Sequence, residues 1–145
     1  MPAEEADIQL FNQTSCSLPV SEAQISQIAS ALGQHENCSF LLLEVVFVDE
    51  EEIVRINKEY LDRRYITDII TFRYDKKDHN SGIEGTLFCC APRIKEQALE
   101  YDVPAENEFR RIVIHGLLHL IGYDDQSDGA QRQMTEKEDF YLSLS

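Results

Sequence analysis

The apolar stretch from Phe40 to Val48 constrains the fold of this chain more than any other feature. It is interrupted only by Glu44, so it predicts a strand buried inside a sheet. The stretch is also far shorter than the ~20 apolar residues that a membrane-spanning helix requires. The sequence therefore predicts a layered globular domain built around this strand, with no membrane partner.

Helix and strand patterns alternate along the rest of the chain. Short runs of β-branched and aromatic residues predict strands, whereas capping residues followed by apolar residues at helical spacing predict helices. The predicted strands cover residues 8–11, 40–48, 69–74 and 85–90. The predicted helices run from a Ser21 cap to about Gly33, from an Asp49 cap to about Leu61, from Pro92, from Pro104 to a stop at Gly122, and from an Asp128 cap through Met134 towards Tyr141.

These elements predict the fold class. The polar stretch at 76–82 suggests a hairpin-like connection between the predicted strands at 69–74 and 85–90. Strands and helices that interleave around one hairpin favour an α/β (α+β) layered domain, with a mixed sheet of about four strands flanked by helices. A length of 145 residues fits one domain covering residues 1–145.

The composition is strongly acidic, with 27 Asp and Glu against 13 Lys and Arg and a formal net charge of −14. Such a chain is not expected to coat DNA or RNA through a broad basic surface. Seven of the 13 bases lie in residues 55–77, beside four acids, so this window carries a net charge of +3. Either the window meets a polyanion locally, or it is an ordinary solvated face.

The N-terminus and the cysteines indicate a cytoplasmic protein. The first residues, Met-Pro-Ala-Glu-Glu, lack the basic start and apolar stretch of a secretory signal. The four cysteines form no C-x-x-C pair, and adjacent Cys89 and Cys90 would point to opposite faces of a strand. We therefore expect four buried thiols and no disulfide framework.

The segment from His115 to Asp125, His-Gly-Leu-Leu-His-Leu-Ile-Gly-Tyr-Asp-Asp, carries the candidate chemistry. His115 and His119 are four residues apart, so on a helix they project from one face and can share a metal ion. Gly122 can end the helix with a left-handed turn that brings Asp125, or alternatively Asp124, to the same ion. The other interpretation is a pair of histidines in a core helix, each hydrogen-bonded to its neighbours.

This spacing is similar to that of zinc proteases, but the catalytic glutamate is absent. In those enzymes the residue after the first histidine is the general base, and here it is Gly116. Peptide hydrolysis by that route is therefore disfavoured. A metal site without this base can still acidify bound water and polarise a substrate oxygen, which suits phosphodiester cleavage.

The same segment resembles the signature H-G-x-L-H-L-x-G-Y-D-H of the YbeY family, which are bacterial metal-dependent endoribonucleases of ribosomal RNA maturation. Asp125 replaces the last histidine of that signature. Residues 67–72, Thr-Asp-Ile-Ile-Thr-Phe, are similar to the family's T-D-V-L-S-F strand, and Asn57 with Tyr60 matches its N-x-x-Y pattern. Two further positions depart from the family: Thr86 stands where the family has an aspartate, and Leu61 stands where it has a functional arginine.

The resemblance implies a three-layer, zincin-like fold with the metal site at the end of a central helix. It implies one Zn²⁺ or another divalent ion, held by His115, His119 and Asp125, with single-stranded RNA as substrate and the ribosome or ribosome-associated proteins as partners. Arg63 and Arg64 are the nearest candidates to bind phosphate in place of the missing arginine, unless they only pair with acids at the surface. The alternatives are a ribosome-associated binding factor with a structural metal and, less favoured, a zincin-type metallopeptidase.

Overall fold

The computed structural model describes residues 6–75 and 80–145, and these residues form four strands and five helices. The strands are β1 (Asp7–Asn12), β2 (Phe40–Val48), β3 (Ile69–Arg73) and β4 (Ile83–Cys90). The helices are α1 (Glu22–Glu36), α2 (Glu50–Leu61), α3 (Ala91–Glu100), α4 (Ala105–Leu120) and α5 (Asp128–Ser143). The predicted order of elements is confirmed, although residues 76–79 of the predicted connection lie outside the described residues.

The four strands form one mixed sheet in the order β1-β2-β4-β3. β2 runs parallel to both of its neighbours, β1 and β4, whereas β3 pairs antiparallel with β4. The interior position of β2 explains its apolar sequence, because helices cover both faces of the sheet there. The predicted layered α/β (α+β) class with a mixed sheet of four strands is confirmed.

Alternate residues of β2 enter two separate cores. Val45 and Phe47 pack in the larger core with residues of α1, α4 and α5, whereas Val46 and Val48 pack with Ile53 of α2. This division follows from the strand geometry, since residues i and i+2 line one face. The sheet therefore lies between α2 on one side and α1 and α4 on the other, in the three layers that the family resemblance implies.

The cysteines follow the same alternation but are not all buried. Cys89 lies in the larger core and Cys90 in the smaller one, as predicted, and all four thiols are free. The prediction of four buried thiols is wrong for Cys16, which is exposed, and for Cys38, which is half-buried. Burial raises the pKa of the Cys38 thiol to about 11, so it stays protonated at neutral pH.

Within the part of the chain that the structure describes, no helix is both long enough and apolar enough to span a membrane.

The end of α1 differs from its prediction. The helix passes through Gly33 and ends at Asn37, which adopts a left-handed conformation with φ 55°. Gly33 is needed for another reason, because a Cβ atom there would lie 2.8 Å from the Cys38 carbonyl oxygen. Glycine at this position permits the close approach of two backbone segments rather than ending the helix.

Helix starts were predicted correctly at Ser21 but less well elsewhere. The Ser21 hydroxyl accepts from the backbone N–H of Gln24 at 3.2 Å, and the Gln24 side chain accepts from the Ser21 N–H at 2.8 Å. Asp49 precedes α2 but its side chain makes no capping bond. The cap of α5 is Ser127 and not Asp128, because the hydroxyl one residue earlier already reaches the free N–H groups of the first turn.

α4 carries the histidine motif and is held closely against the sheet. A Cβ atom at Gly116 would lie 2.6 Å from Ile69 Cδ1 and 3.1 Å from both Leu87 methyl carbons, so this face of the helix touches β3 and β4. At the end of α4, Arg73 of β3 donates through Nη1 to the Leu120 carbonyl oxygen at 2.9 Å. These contacts fix the position of the last turns of α4 relative to the sheet.

Candidate metal centre

His115 and His119 lie on one face of the last turns of α4. Their Nε2 atoms are 2.9 Å apart. The side chains are 21% and 25% exposed, so the pair is reached from solvent and is not enclosed in the core. The helical spacing predicted this convergence, since side chains at i and i+4 lie one above the other.

The chain reverses directly after α4 and brings a carboxylate to the histidines. Gly122 adopts a φ of 112°, a backbone conformation that favours glycine. As a result, Asp125 Oδ2 lies 3.6 Å from His115 Nε2 and 3.8 Å from His119 Nε2. The structure thus brings together the three side chains that the sequence pattern singled out as metal ligands.

Asp124, the alternative ligand, takes part in the turn itself. Its Oδ1 accepts a hydrogen bond from the backbone N–H of Gln126 at 3.1 Å, as Asp side chains do in turns of this kind. The cluster of metal-ligating atoms in the described residues contains Asp125 but not Asp124. The geometry therefore favours Asp125 as the carboxylate ligand.

The three converging atoms match the dimensions of a divalent metal site. They form a triangle with sides of 2.9, 3.6 and 3.8 Å, and the point equidistant from them lies about 2.0 Å from each, the length of a zinc bond to nitrogen or oxygen. No fourth His, Cys, Asp or Glu joins this cluster among the described residues. Three protein ligands with an open position are typical of catalytic zinc, whereas structural zinc sites are usually closed by four.

Both imidazole rings are oriented through their second nitrogen. His115 Nδ1 lies 2.7 Å from Glu138 Oε2, and His119 Nδ1 lies 2.9 Å from the Tyr123 carbonyl oxygen. These acceptors assign the proton of each neutral ring to Nδ1, which leaves the two Nε2 lone pairs facing each other. Facing lone pairs at this distance repel unless a cation shares them, so the donor set fits a metal ion.

Glu138 of α5 contacts a proposed metal ligand, and the sequence patterns gave it no such role. It is buried, with 7% of its surface exposed, and it also pairs with Arg111 Nη1 at 3.0 Å. Burial acts to lower the pKa of His115, but the hydrogen bond and charge of Glu138 outweigh it and raise this pKa above its ordinary value. A signal was available, because Glu138 lies four residues after Met134 and shares the buried face of α5, where acids are rare unless paired.

A cleft of about 290 Å³ opens beside the triad, between α4, α5, the end of α3 and the residue that precedes β3. His115 and Asp125 form part of its wall. The remaining polar lining consists of three acids, one arginine, two amides and two hydroxyl groups; these residues are Asp68, Glu108, Glu138, Arg111, Gln97, Gln131, Tyr101 and Thr135. The cleft is thus rich in hydrogen-bond acceptors.

Arg63 and Arg64 do not line this cleft. Both are exposed, and Arg63 Nη1 donates to the Tyr65 hydroxyl at 3.2 Å. The arginine that does line the cleft is Arg111, which the sequence patterns gave no reason to choose. A phosphate-binding role for the two earlier arginines stays a prediction.

Comparison with known proteins assigns the chain to a family. The family model described as "Endoribonuclease YbeY" matches residues 9–144. The chain belongs to the YbeY family. A relative named Endoribonuclease YbeY from Chlorobium phaeobacteroides (strain DSM 266) is 36% identical over 135 residues, which cover 93% of this chain and 92% of the relative. A second relative of that name, from Flavobacterium psychrophilum, is 34% identical over 140 residues, covering 97% of this chain and 91% of the relative.

A solved structure shares the fold of this YbeY chain. The solution structure of TM1509 from Thermotoga maritima matches it with a TM-score of 0.62 and 25% sequence identity, covering 94% of this chain and 87% of that one. The resemblance predicted from the motif at 115–125 is therefore confirmed. In the structure, the aspartate at the last position of this motif lies beside the two histidines.

Proposed function

We propose that this chain is a metal-dependent endoribonuclease that cleaves single-stranded RNA in ribosomal RNA maturation, as a single hydrolase domain. One observation carries the proposal. His115 Nε2, His119 Nε2 and Asp125 Oδ2 converge on a point about 2.0 Å from each, in a chain whose relatives are named endoribonucleases. These three side chains are proposed to ligate one divalent ion.

The orientation and the exposure of the three proposed ligands suit a polymer substrate. A divalent ion held there would supply a Lewis acid for a phosphodiester oxygen and would lower the pKa of water. Glu138 and the Tyr123 carbonyl hold the two rings with Nε2 directed inward. The ligand side chains are 21 to 43% exposed, which leaves room for an extended RNA strand to approach.

Zinc is the proposed ion, because two imidazoles and one carboxylate belong to its usual donor set. Asp125 adds one negative charge where the related signature has histidine, which weakens the ion as an electrophile and favours harder ions such as Mn²⁺ more than a three-histidine site would. Elemental analysis of protein purified without an affinity tag is expected to find one zinc per chain. Protein that binds no metal at micromolar zinc would contradict the assignment. It would favour the other interpretation, in which His115 and His119 are a hydrogen-bonded pair in a core helix.

The basic loop between α2 and β3 is proposed to meet RNA phosphates. Arg63 and Arg64 are exposed there and are flanked by Tyr60 and Tyr65, whose side chains are 60% and 53% exposed and can stack with bases. The loop leads to Asp68, which lines the cleft beside the triad. Four residues of extended chain span at most ~14 Å, so these arginines are within reach of the strand that passes the metal.

The acidic composition limits how much RNA the protein can hold by charge alone. Each neutralised phosphate of a single strand contributes about −0.7 to the slope of log affinity against log salt. Contacts from two arginines and the metal site therefore predict a shallow slope, between about −1 and −3. We propose that the ribosome or a ribosome-associated protein supplies the remaining affinity. A much steeper slope, measured by titration of single-stranded RNA at several salt concentrations, would contradict this view.

Cleavage of single-stranded RNA with and without a chelator tests the proposed activity. Wild-type protein is expected to cut RNA only without chelator, and His115→Ala is expected to be inactive. Asp125→Asn and Asp124→Asn form a matched pair of neighbouring aspartates, of which only the first is expected to abolish cleavage. RNA cleavage that persists in chelator, or that survives His115→Ala, would refute the mechanism.

Two observations weigh against the alternative functions. A binding factor with a structural metal needs a closed site, but the described residues offer only three ligands in the cluster. A metallopeptidase needs a carboxylate after the first histidine, but Gly116 is packed against Ile69 and Leu87, where even a methyl group is crowded. An unstructured peptide, incubated beside RNA, is expected to remain intact.

A further inference from the structure

A second cleft of about 470 Å³ continues from the one beside the triad. The two clefts share Tyr101, Glu108, Arg111 and Glu138 in their walls, so they form one groove that begins at the proposed metal ligands. We call it the flanking groove. Its two parts have the size of small-molecule pockets.

Glu108 is the unusual residue of the flanking groove. Only 3% of its surface is exposed, and no described residue donates a hydrogen bond to its carboxyl group. It lines both clefts, and its oxygens are not among the fully buried unpaired atoms of the described residues, so they face the groove. Burial raises the pKa of Glu108 and the nearby charge of Arg111 opposes that rise. A buried carboxyl group is normally hydrogen-bonded, so this one lacks a donor that a ligand can provide.

Two further side chains give the groove a specific pattern. Arg111 follows Glu108 by three residues and lies on the same face of α4; its bonds from Nη1 to Glu138 and from Nη2 to Asp139 use two of the five N–H groups of a guanidinium. Tyr101 ends α3 with its side chain 62% exposed. The groove therefore combines a donor, a pair of free acceptors and an aromatic face.

We propose that the flanking groove recognises guanine in the nucleotide next to the cleaved bond, an inference that rests on the proposed nuclease function. The Watson–Crick edge of guanine presents one acceptor, O6, followed by two donors, N1–H and N2–H. Arg111 donates to O6, the two oxygens of Glu108 accept from the two N–H groups, and the base stacks on Tyr101. Adenine, cytosine and uracil have no two adjacent N–H groups on this edge.

The charge of the groove excludes phosphate as the occupant. Asp68, Glu108 and Glu138 outnumber Arg111 in the lining, so a phosphate would meet net repulsion, whereas the neutral base would meet unused acceptors. The phosphates of a bound strand are thereby left to the metal and to the loop between α2 and β3, which carries Arg63 and Arg64. The base is the part of a nucleotide that fits this chemistry.

Binding of short oligonucleotides tests the proposal. Heptamers with a single guanine, inosine, adenine or cytosine inside a uridine background, and the all-uridine heptamer, are made with 2′-O-methyl riboses and titrated against the zinc-loaded full chain by fluorescence anisotropy. The guanine heptamer is expected to bind about 5- to 100-fold more tightly than the adenine, cytosine and uridine heptamers. Inosine lacks N2–H, so the affinity of its heptamer is expected to lie between that of the guanine heptamer and those of the other three. Equal affinities, or no measurable binding, would overturn the proposal.

A substitution at Glu108 provides the sharper test. Glu108→Gln replaces one acceptor by an N–H donor that would face an N–H group of guanine, so the preference for guanine is expected to be lost. Glu106→Gln removes the same charge from an exposed position of α4 and is expected to leave the preference for guanine unchanged. Circular dichroism checks that both variants fold. A preference for guanine that survives Glu108→Gln would overturn the assignment.

The outcomes separate this inference from the nuclease proposal. If unmodified RNA is cut in a chelator-sensitive reaction at all four bases equally, the nuclease proposal stands and base recognition fails. If the heptamers bind with a preference for guanine but RNA is not cut, base recognition stands and the nuclease proposal fails.

Discussion

Replacement of Glu138 by alanine is predicted to weaken zinc binding by about 10- to 100-fold, while leaving all three proposed ligands in place. This range corresponds to about 1.4 to 2.7 kcal/mol. The reason is the 2.7 Å contact between Glu138 Oε2 and His115 Nδ1, which fixes the ring orientation and the tautomer. Without it, the Nε2 lone pair of His115 is no longer held towards Asp125 and His119.

The charge of Glu138 gives a second estimate of the same quantity. A divalent ion at the centre of the triad would lie roughly 6 to 7 Å from this carboxylate across the imidazole ring, so their attraction is about 5 kcal/mol at an effective dielectric constant near 20. Arg111 pairs with the same carboxylate at 3.0 Å and cancels part of this attraction. Glu138→Gln keeps an acceptor for the ring N–H but removes the charge, and it is expected to cost about 10-fold in affinity, the lower end of the range.

The assay is a competition titration in which the protein and a fluorescent chelator share zinc. Asp139→Ala is the matched control, because Asp139 is the next residue along α5, pairs with the same Arg111 at 2.6 Å and is 62% exposed. It makes no contact with His115 among the described residues, so its affinity for zinc is expected to stay within about twofold of wild type. Unchanged affinity in Glu138→Ala, or an equal loss in Asp139→Ala, would refute the reasoning. Thermal unfolding of the zinc-free variants shows that neither has simply lost its fold.

Three other predictions concern packing, pH and metal choice. Gly116→Ala places a methyl group 2.6 Å from Ile69 Cδ1; the crowding costs about 1 to 3 kcal/mol and the higher helix propensity of alanine offsets about 1 kcal/mol of it, so a net loss of up to about 2 kcal/mol is expected in urea unfolding, and a gain in stability would mean that α4 is not tightly packed. Hydrogen bonds from Arg73 lower the pKa of Asp75 to about 2, so this pair stabilises the fold fully above the unfolded-state pKa near 3.9 and loses its effect as pH falls through 2. Asp75→Asn is therefore expected to cost about 1 to 2 kcal/mol at pH 7 but little at pH 2, and an equal loss at both values, measured by urea unfolding, would contradict the shift. Asp125→His is expected to bind zinc at least as tightly and to lower the ratio of Mn²⁺- to Zn²⁺-supported cleavage, whereas an unchanged ratio would exclude Asp125 as the source of metal preference.

The elements and the triad could be predicted because their determinants are local. The strand at Phe40–Val48 is predicted from one apolar stretch that contains a single acid, and its observed ends are the predicted ones. The proposed ligands lie within eleven consecutive residues, so one helix and one glycine turn decide their geometry. His115, His119 and Asp125 needed no knowledge of how distant parts of the chain pack.

The rest of the site depends on tertiary packing that the sequence patterns do not encode. Glu138 reaches His115 only because α5 packs across α4, and Tyr101 joins the groove only because α3 ends beside it. The basic window shows what charge counting leaves out. Charge counting singled out Arg63 and Arg64, but the arginine lining the cleft is Arg111, from a part of the chain with no excess of positive charge.

The acidic character of this chain and its proposed RNA substrate are compatible because the site separates phosphate from base. Acids that line the cleft repel a phosphate except where Arg111, a bound divalent ion or the loop between α2 and β3 supplies positive charge. The same acids are good acceptors for the N–H groups of a base. A cleft lined in this way is expected to bind RNA poorly without a metal, so a bound ion would contribute to substrate binding as well as to bond cleavage. The net charge of −14 is thus expected to limit which parts of an RNA strand can approach the cleft, without excluding RNA from the site.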